Sequence, residues 1–169
     1  MKAFCNRSGF TLIELIMVVA MIAVVASTVF VAIDPARRLQ TARNATRWVD
    51  ITAILEAIKK YQFDHDGVLP AMDEDFGTVQ IIGERAKPCS ELTCAKQPIA
   101  ETECVFRSFV TDLRPYLKTI PEDPKTGNRS ESRYYVNRDE YGIVSVGACD
   151  AEAEGQGGEG EPPVIEVTR

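Results

Sequence analysis

From Phe10 to Ile33 the chain is apolar at every position except Thr11, Glu14, Ser27 and Thr28, and beyond Asp34 it turns polar on average. A run of that length rises about 36 Å as a helix, slightly more than the roughly 30 Å hydrocarbon core of a bilayer. The pattern then changes. Leu39, Ala42, Val49, Ile54, Leu55, Ile58 and Tyr61 recur near helical spacing, while Arg37, Arg38, Arg43, Arg47, Lys59 and Lys60 fall on other faces. Asp34-Pro35 marks the change as a capped restart or kink, since Asp is a good N-cap and Pro fits a first helical turn. The amphipathic helix is expected to continue to about Phe63, where Gly67 and Pro70 stop it.

Further along, periodicity weakens. Val79 to Ile82 is the best short strand between Ala71 and Thr111, and Phe109 to Leu117 reads as a short helix. Ile120 to Pro124 reads as a rigid loop. Arg133 to Asn137 and Ile143 to Gly147 read as a β-hairpin turning at Gly142. Asp150 to Pro163 is acidic and glycine-rich, with too little apolar surface to offset the entropy of ordering, so a flexible tail is expected. Val164 to Val167 could dock as a short edge strand. The expected organisation is a leader at 1–9, a membrane and assembly helix at 10–33, its amphipathic continuation at 34–64, a head at 65–149 and an acidic tail at 150–169. The fold class is α+β: one long N-terminal helix packed on a small antiparallel sheet.

The 169 residues suffice for one span and one ordinary domain. Nineteen basic against 25 acidic residues argue against a general nucleic-acid binder, although Arg37 to Arg47 could form a DNA-binding strip. No phosphate-cradling glycine loop or nucleophile elbow appears. The single histidine, His65, reads as a solvated loop residue, and no enzyme, metal centre or cofactor is expected. Asp64-His65-Asp66-Gly67 resembles the start of a calcium loop without its later ligands, and reads better as a helix C-cap. Asp123, Asp139 and Asp150 are the other calcium candidates, with solvated loop acids the plainer account.

The N-terminus is more specific. Met1 to Gly9 carries Lys2 and Arg7 and no apolar core, so the small residue Gly9 precedes the apolar run. An ordinary secretory signal places its cleavage site after that run. Ser8-Gly9-Phe10-Thr11-Leu12-Ile13-Glu14-Leu15-Ile16 resembles the processing site of type IV prepilins and pseudopilins. The resemblance implies cleavage between Gly9 and Phe10 by prepilin peptidase, N-methylation of Phe10, and pairing of Glu14 with the α-amine of a neighbouring Phe10 during assembly. A carboxylate near a bilayer core costs a few kcal/mol, which is why Glu14 stands out. Tyr61 to Pro70 and the segments around Pro115, Asp123, Tyr134 and Val144 also look like parts of small bacterial pilins.

The resemblance implies a structural subunit: a homo-oligomeric filament of the type IV pilus kind, serving adhesion, twitching motility or DNA uptake. The precursor would sit in the inner membrane with its N-terminus inside, and the pilus assembly machinery would move it to the cell surface. A secretion pseudopilin shares the N-terminus, and an uncleaved single-pass binding module is the remaining alternative. One rule disagrees, because Arg37, Arg38, Arg43 and Arg47 follow the span and would hold that side in the cytoplasm. An exported head implies that Cys89, Cys94, Cys104 and Cys149 form two disulfides, with Cys5 leaving in the leader. A four-cysteine zinc site fits a cytoplasmic head, but the spacing is irregular. Three pairings are open; Cys89–Cys94, which is local, with Cys104–Cys149, which would tie the hairpin's end to the middle of the head, is favoured.

Overall fold

The computed structural model describes residues 9–72, 78–84, 89, 92–94, 97–99 and 105–169, with the backbone alone for 105–108. Two helices in series open the chain, α1 at Leu12–Ile33 and α2 at Pro35–Asp64. α1 is long and apolar enough to cross a membrane, and none of its residues is buried by the rest of the chain. Its two interior hydroxyls bond within the helix: Ser27 Oγ donates to the Val24 carbonyl and Thr28 Oγ to that of Val25, both at 2.8 Å. That back-bonding removes the polar cost the two side chains would otherwise carry in hydrocarbon.

α2 buries Asn44, Arg47, Ile51, Ile54, Leu55, Ala57 and Ile58. The upper part follows the apolar periodicity, but the lower part does not. Leu39 and Val49 are 59% and 69% exposed, and the buried face there is polar. Counting apolar positions alone missed this, because Asn44 and Arg47 are buried through partners distant in sequence. α2 ends where the Gly67 N–H donates to the Gln62 carbonyl at 2.8 Å and the His65 ring stacks on Tyr61 at 3.9 Å.

The remaining elements are β1 (Gln80–Ile82), β2 (Val105–Phe106), α3 (Arg107–Leu113), β3 (Tyr134–Arg138), β4 (Val144–Ala148) and β5 (Glu166–Thr168). The sheet order is β2-β1-β3-β4-β5; β1, β3, β4 and β5 pair antiparallel, and β2 joins β1 in parallel. The hairpin lies one residue beyond its expected place. Its turn is held by Asp139, which accepts the Tyr141 and Ile143 amides at 2.9 and 2.7 Å. Strand alternation sends Tyr134 and Val136 towards α2, where they meet Ile51, Ile54, Ile58, Phe109 and Ile165 in the main core. Tyr135 points the other way, into a smaller cluster with Val79, Ile81, Leu92 and the 94–149 bridge.

Two expectations are corrected. The 150–163 segment is no free tail: Glu152 is buried, Asp150 ion-pairs with Arg133, and a turn at Gln156–Gly158 lies against α2. Charge pairing orders it where apolar burial could not. The second correction concerns the cysteines. Cys94 bonds to Cys149, with Cα atoms 4.5 Å apart across 55 residues of sequence, and that single bond rules out both favoured pairings. Locality failed because the sheet brings the end of β4 over the 92–94 loop. Cys89 is also disulfide-bonded, while Cys104 lies outside the described residues.

Closing a loop of that length removes unfolded-state entropy worth about 4 kcal/mol in the chain-entropy treatment. Non-reducing peptide mapping should therefore recover a Cys94–Cys149 cross-linked peptide. Cys149→Ser should lower the head's melting temperature by on the order of 10 °C. A map showing Cys89 joined to Cys94 would refute this arrangement.

Candidate functional site

Gly9 is exposed, with open space where a Cβ would stand, and Phe10 is 87% exposed. Two residues later the helix begins. Thr11 is its N-cap in extended conformation, and Glu14 completes a capping box. The Thr11 hydroxyl accepts the Glu14 N–H at 3.3 Å and donates to Glu14 Oε2 at 2.8 Å, and the Thr11 N–H donates to the same oxygen at 2.9 Å. This arrangement satisfies donors that a helix start leaves without partners. A cut at Gly9–Phe10 would leave it whole, because every bond lies C-terminal to the cut. The Thr-x-x-Glu spacing carries this signal, and reading Glu14 only as a carboxylate awaiting a neighbour's α-amine overlooked it.

The second polar assembly is the joint between the helices. Asp34 takes a left-handed conformation, φ 44°, which ends α1 and starts α2. Its Oδ1 accepts the Arg37 N–H at 3.3 Å, so the Ile33 carbonyl loses that amide and takes the Arg38 guanidinium instead, at 2.9 Å. Pro35, with no N–H to lose, fits the first turn.

Below the core, Arg47 is fully buried and forks onto Asp123, with Nε–Oδ2 at 2.6 Å and Nη2–Oδ1 at 3.1 Å. Its Nη1 donates to Asn44 Oδ1 at 2.8 Å and to Glu152 at 3.2 Å. Glu152 also takes the Arg43 guanidinium and, at 2.8 Å, Lys125 Nζ. Asn44 closes the group, donating to the Glu152 carbonyl at 2.7 Å and accepting the Glu152 N–H at 3.0 Å. Burial works against ionising Asp123, yet Arg47 and the Lys125 and Thr126 amides hold its carboxyl below the usual range. The Arg43 hydrogen bonds, supported by Lys125 and Arg47, lower Glu152 to about 2.

Residues 5–30 match the family model of the prokaryotic N-terminal methylation motif. The chain therefore carries the N-terminal signature shared by type IV prepilins and pseudopilins. Gly9, Phe10, Thr11 and Glu14 all lie inside the methylation motif, which ends within α1, and the head lies beyond it. No curated protein and no solved structure matches this chain.

The polar residues outside the methylation motif are distributed differently from expectation. Asp123 and Asp150 come together, bridged by Thr126 Oγ at 3.1 and 2.5 Å, but their oxygens face Arg47 and Arg133. Asp139 sits apart in the hairpin turn. Among the described residues no three metal-ligating side chains gather. The arginine strip is split: Arg43 and Arg47 turn into the head, and only Arg37 and Arg38 remain on the exposed face. Periodicity gave no sign of the Arg47 cluster, since its acids lie 76 and 105 residues away.

The acids of this cluster have depressed folded pKa values, so their stabilisation is complete above the ordinary carboxylate range and is lost as pH falls. For Glu152, lowered from 4.5 to about 2, the loss runs through that window and amounts to on the order of 3 kcal/mol. Asp123 and Asp150 act in the same direction, and Asp50, raised first by burial, opposes them. Denaturant melts should be flat from pH 7 to 5 and fall steeply below 4, with a shallower fall in Glu152→Gln. Arg47→Met should cost about 3–5 kcal/mol at pH 7 by stranding Asp123, and adding Asp123→Leu should recover much of it.

Proposed function

We propose that this chain is a prepilin-type structural subunit, cut between Gly9 and Phe10, methylated on Phe10, and polymerised through α1 into a type IV pilus. The observation that carries this reading is the methylation motif in register with the helix start: Gly9 and Phe10 stand immediately before Thr11, the residue that caps α1. An unburied apolar helix 22 residues long needs a second apolar environment, and the two successive ones are the inner membrane and the packed α1 helices of other copies. The partners follow as prepilin peptidase, the pilus assembly machinery and further copies of this chain. A head bridged by Cys94–Cys149 suits an oxidising exterior, which favours a surface filament over the cytoplasmic-head alternative.

A secretion pseudopilin shares the motif equally. Electron microscopy of cells with and without the gene separates the two. Loss of surface filaments supports the pilus, and loss of a secreted enzyme with filaments unchanged supports the pseudopilus. Mass spectrometry of the native protein should give a chain starting at Phe10 with one added methyl; a start at Met1 would overturn the processing step. Glu14 can be tested more finely. Glu14→Gln keeps an oxygen for the Thr11 N–H but loses the charge, whereas Glu14→Ala loses both. If attraction to a neighbour's α-amine drives assembly, both variants should cut filament yield about tenfold or more, a difference of roughly 1.4 kcal/mol or more. Normal yield from Glu14→Gln would mean the capping box alone is needed.

A further inference from the structure

The first nine residues of α2 overhang the head. Its buried residues begin at Asn44, and Pro35 to Arg43 reach about 14 Å further towards α1 with none buried. The acidic segment that follows β4 lies on this overhang. It is anchored above by Cys149 and by the Arg133–Asp150 fork, and it returns to the core at Ile165 and β5. Between those anchors it descends along α2 in three steps. Glu152 and Glu154 hold Arg43 and Asn44. Gly158, at φ 78°, packs so closely on the Gln40 side chain that a Cβ would overlap it. The Gly157 N–H, from a residue at φ 69°, donates to Asp34 Oδ2 at 2.8 Å.

Asp34 is thus shared. One carboxylate oxygen caps α2 through Arg37, and the other receives the strap. We propose that residues 155–160 form a brace on the α1–α2 joint, fixing the direction of the apolar helix relative to the head while docked and letting the two swing separately when it lifts. The sequence supports that role. Left-handed backbone at Gly157 and Gly158 is open to glycine with little strain, so the strap can turn where it meets the joint. Beyond Glu154 the hold is the Gly157–Asp34 hydrogen bond and the close packing of Gly158 on Gln40, so this part can release while Glu152 stays buried and the sheet stays folded. The brace needs only the joint and the strap, and stands apart from the filament reading.

The test uses the full chain in lipid nanodiscs, with spin labels placed as unnatural amino acids at Val25 and Thr52, both exposed and about 40 Å apart on a straight rod. Gly157→Pro removes the donor and forbids its conformation. Asp34→Asn keeps an oxygen to cap Arg37 but turns an NH2 group towards the Gly157 N–H. Both should broaden the label distance distribution at least about twofold and speed hydrogen exchange at the Arg37 and Arg38 amides about tenfold, with the head's melting temperature nearly unchanged. Asp34→Asn alters no head residue other than its contact at Gly157, so it keeps the test decisive if the proline variant folds poorly. Distance widths and exchange rates equal to wild type in Asp34→Asn would overturn the brace.

Discussion

Arg47 sits with no exposed surface at the point where three separate stretches of chain meet: α2, the loop at 120–126 and the segment after β4. A guanidinium buried there must be matched, because an unpaired charge in that environment costs several kcal/mol. Asp123 supplies the match and Asn44 and Glu152 complete its hydrogen bonds, so the three stretches have one mutual arrangement that satisfies every group. Such a cluster adds little net stability compared with well-packed apolar residues. Its effect is to fix register. Moving α2 by one turn would part Arg47 from its acids and leave Asp123 without its buried cation.

The head and α1 solve opposite solvent problems on one continuous polypeptide. The head buries apolar residues on both faces of its sheet, with α2 and α3 over one and the loop carrying Leu92 and Cys94 over the other. α1 buries nothing, and satisfies its polar atoms internally through Thr11–Glu14, Ser27–Val24 and Thr28–Val25. A helix so arranged can move between lipid and other apolar helices without rearranging its own hydrogen bonds. Asp34 separates the two regimes, and its positive φ is a non-glycine strain tolerated because both carboxylate oxygens are engaged.

Much of this was legible in the sequence where the signal was local. The apolar run, the Asp34-Pro35 break, the end of α2 near Phe63 and the Tyr134–Ala148 hairpin are set by neighbours within a few residues. The methylation motif is local too, and it was read at Gly9 and Phe10. What could not be read was long-range. Leu39 and Val49 looked like core positions because nothing nearby in sequence announces that Asn44 and Arg47 face inward. The acidic stretch looked disordered because low apolar content argues for disorder only when the charges lack partners, and Arg43, Asn44, Lys125 and Arg133 provide them. The disulfide was mispaired for the same reason: sequence distance stood in for spatial distance.

The span between Asn44 and Glu152 also has a temporal meaning. These residues are 108 positions apart, and in the proposed topology Asn44 is among the first of the head to leave the membrane while Glu152 is among the last. Loop closure over such a distance is slow, and none of it can start before the far end arrives. In such an export, Arg47 emerges without its acids and stays hydrated, so the base of the head remains open until nearly the whole chain has crossed. Compaction is then a late event gated by translocation, and a folding catalyst or protease stationed at the membrane would meet α2 as a bare cationic helix.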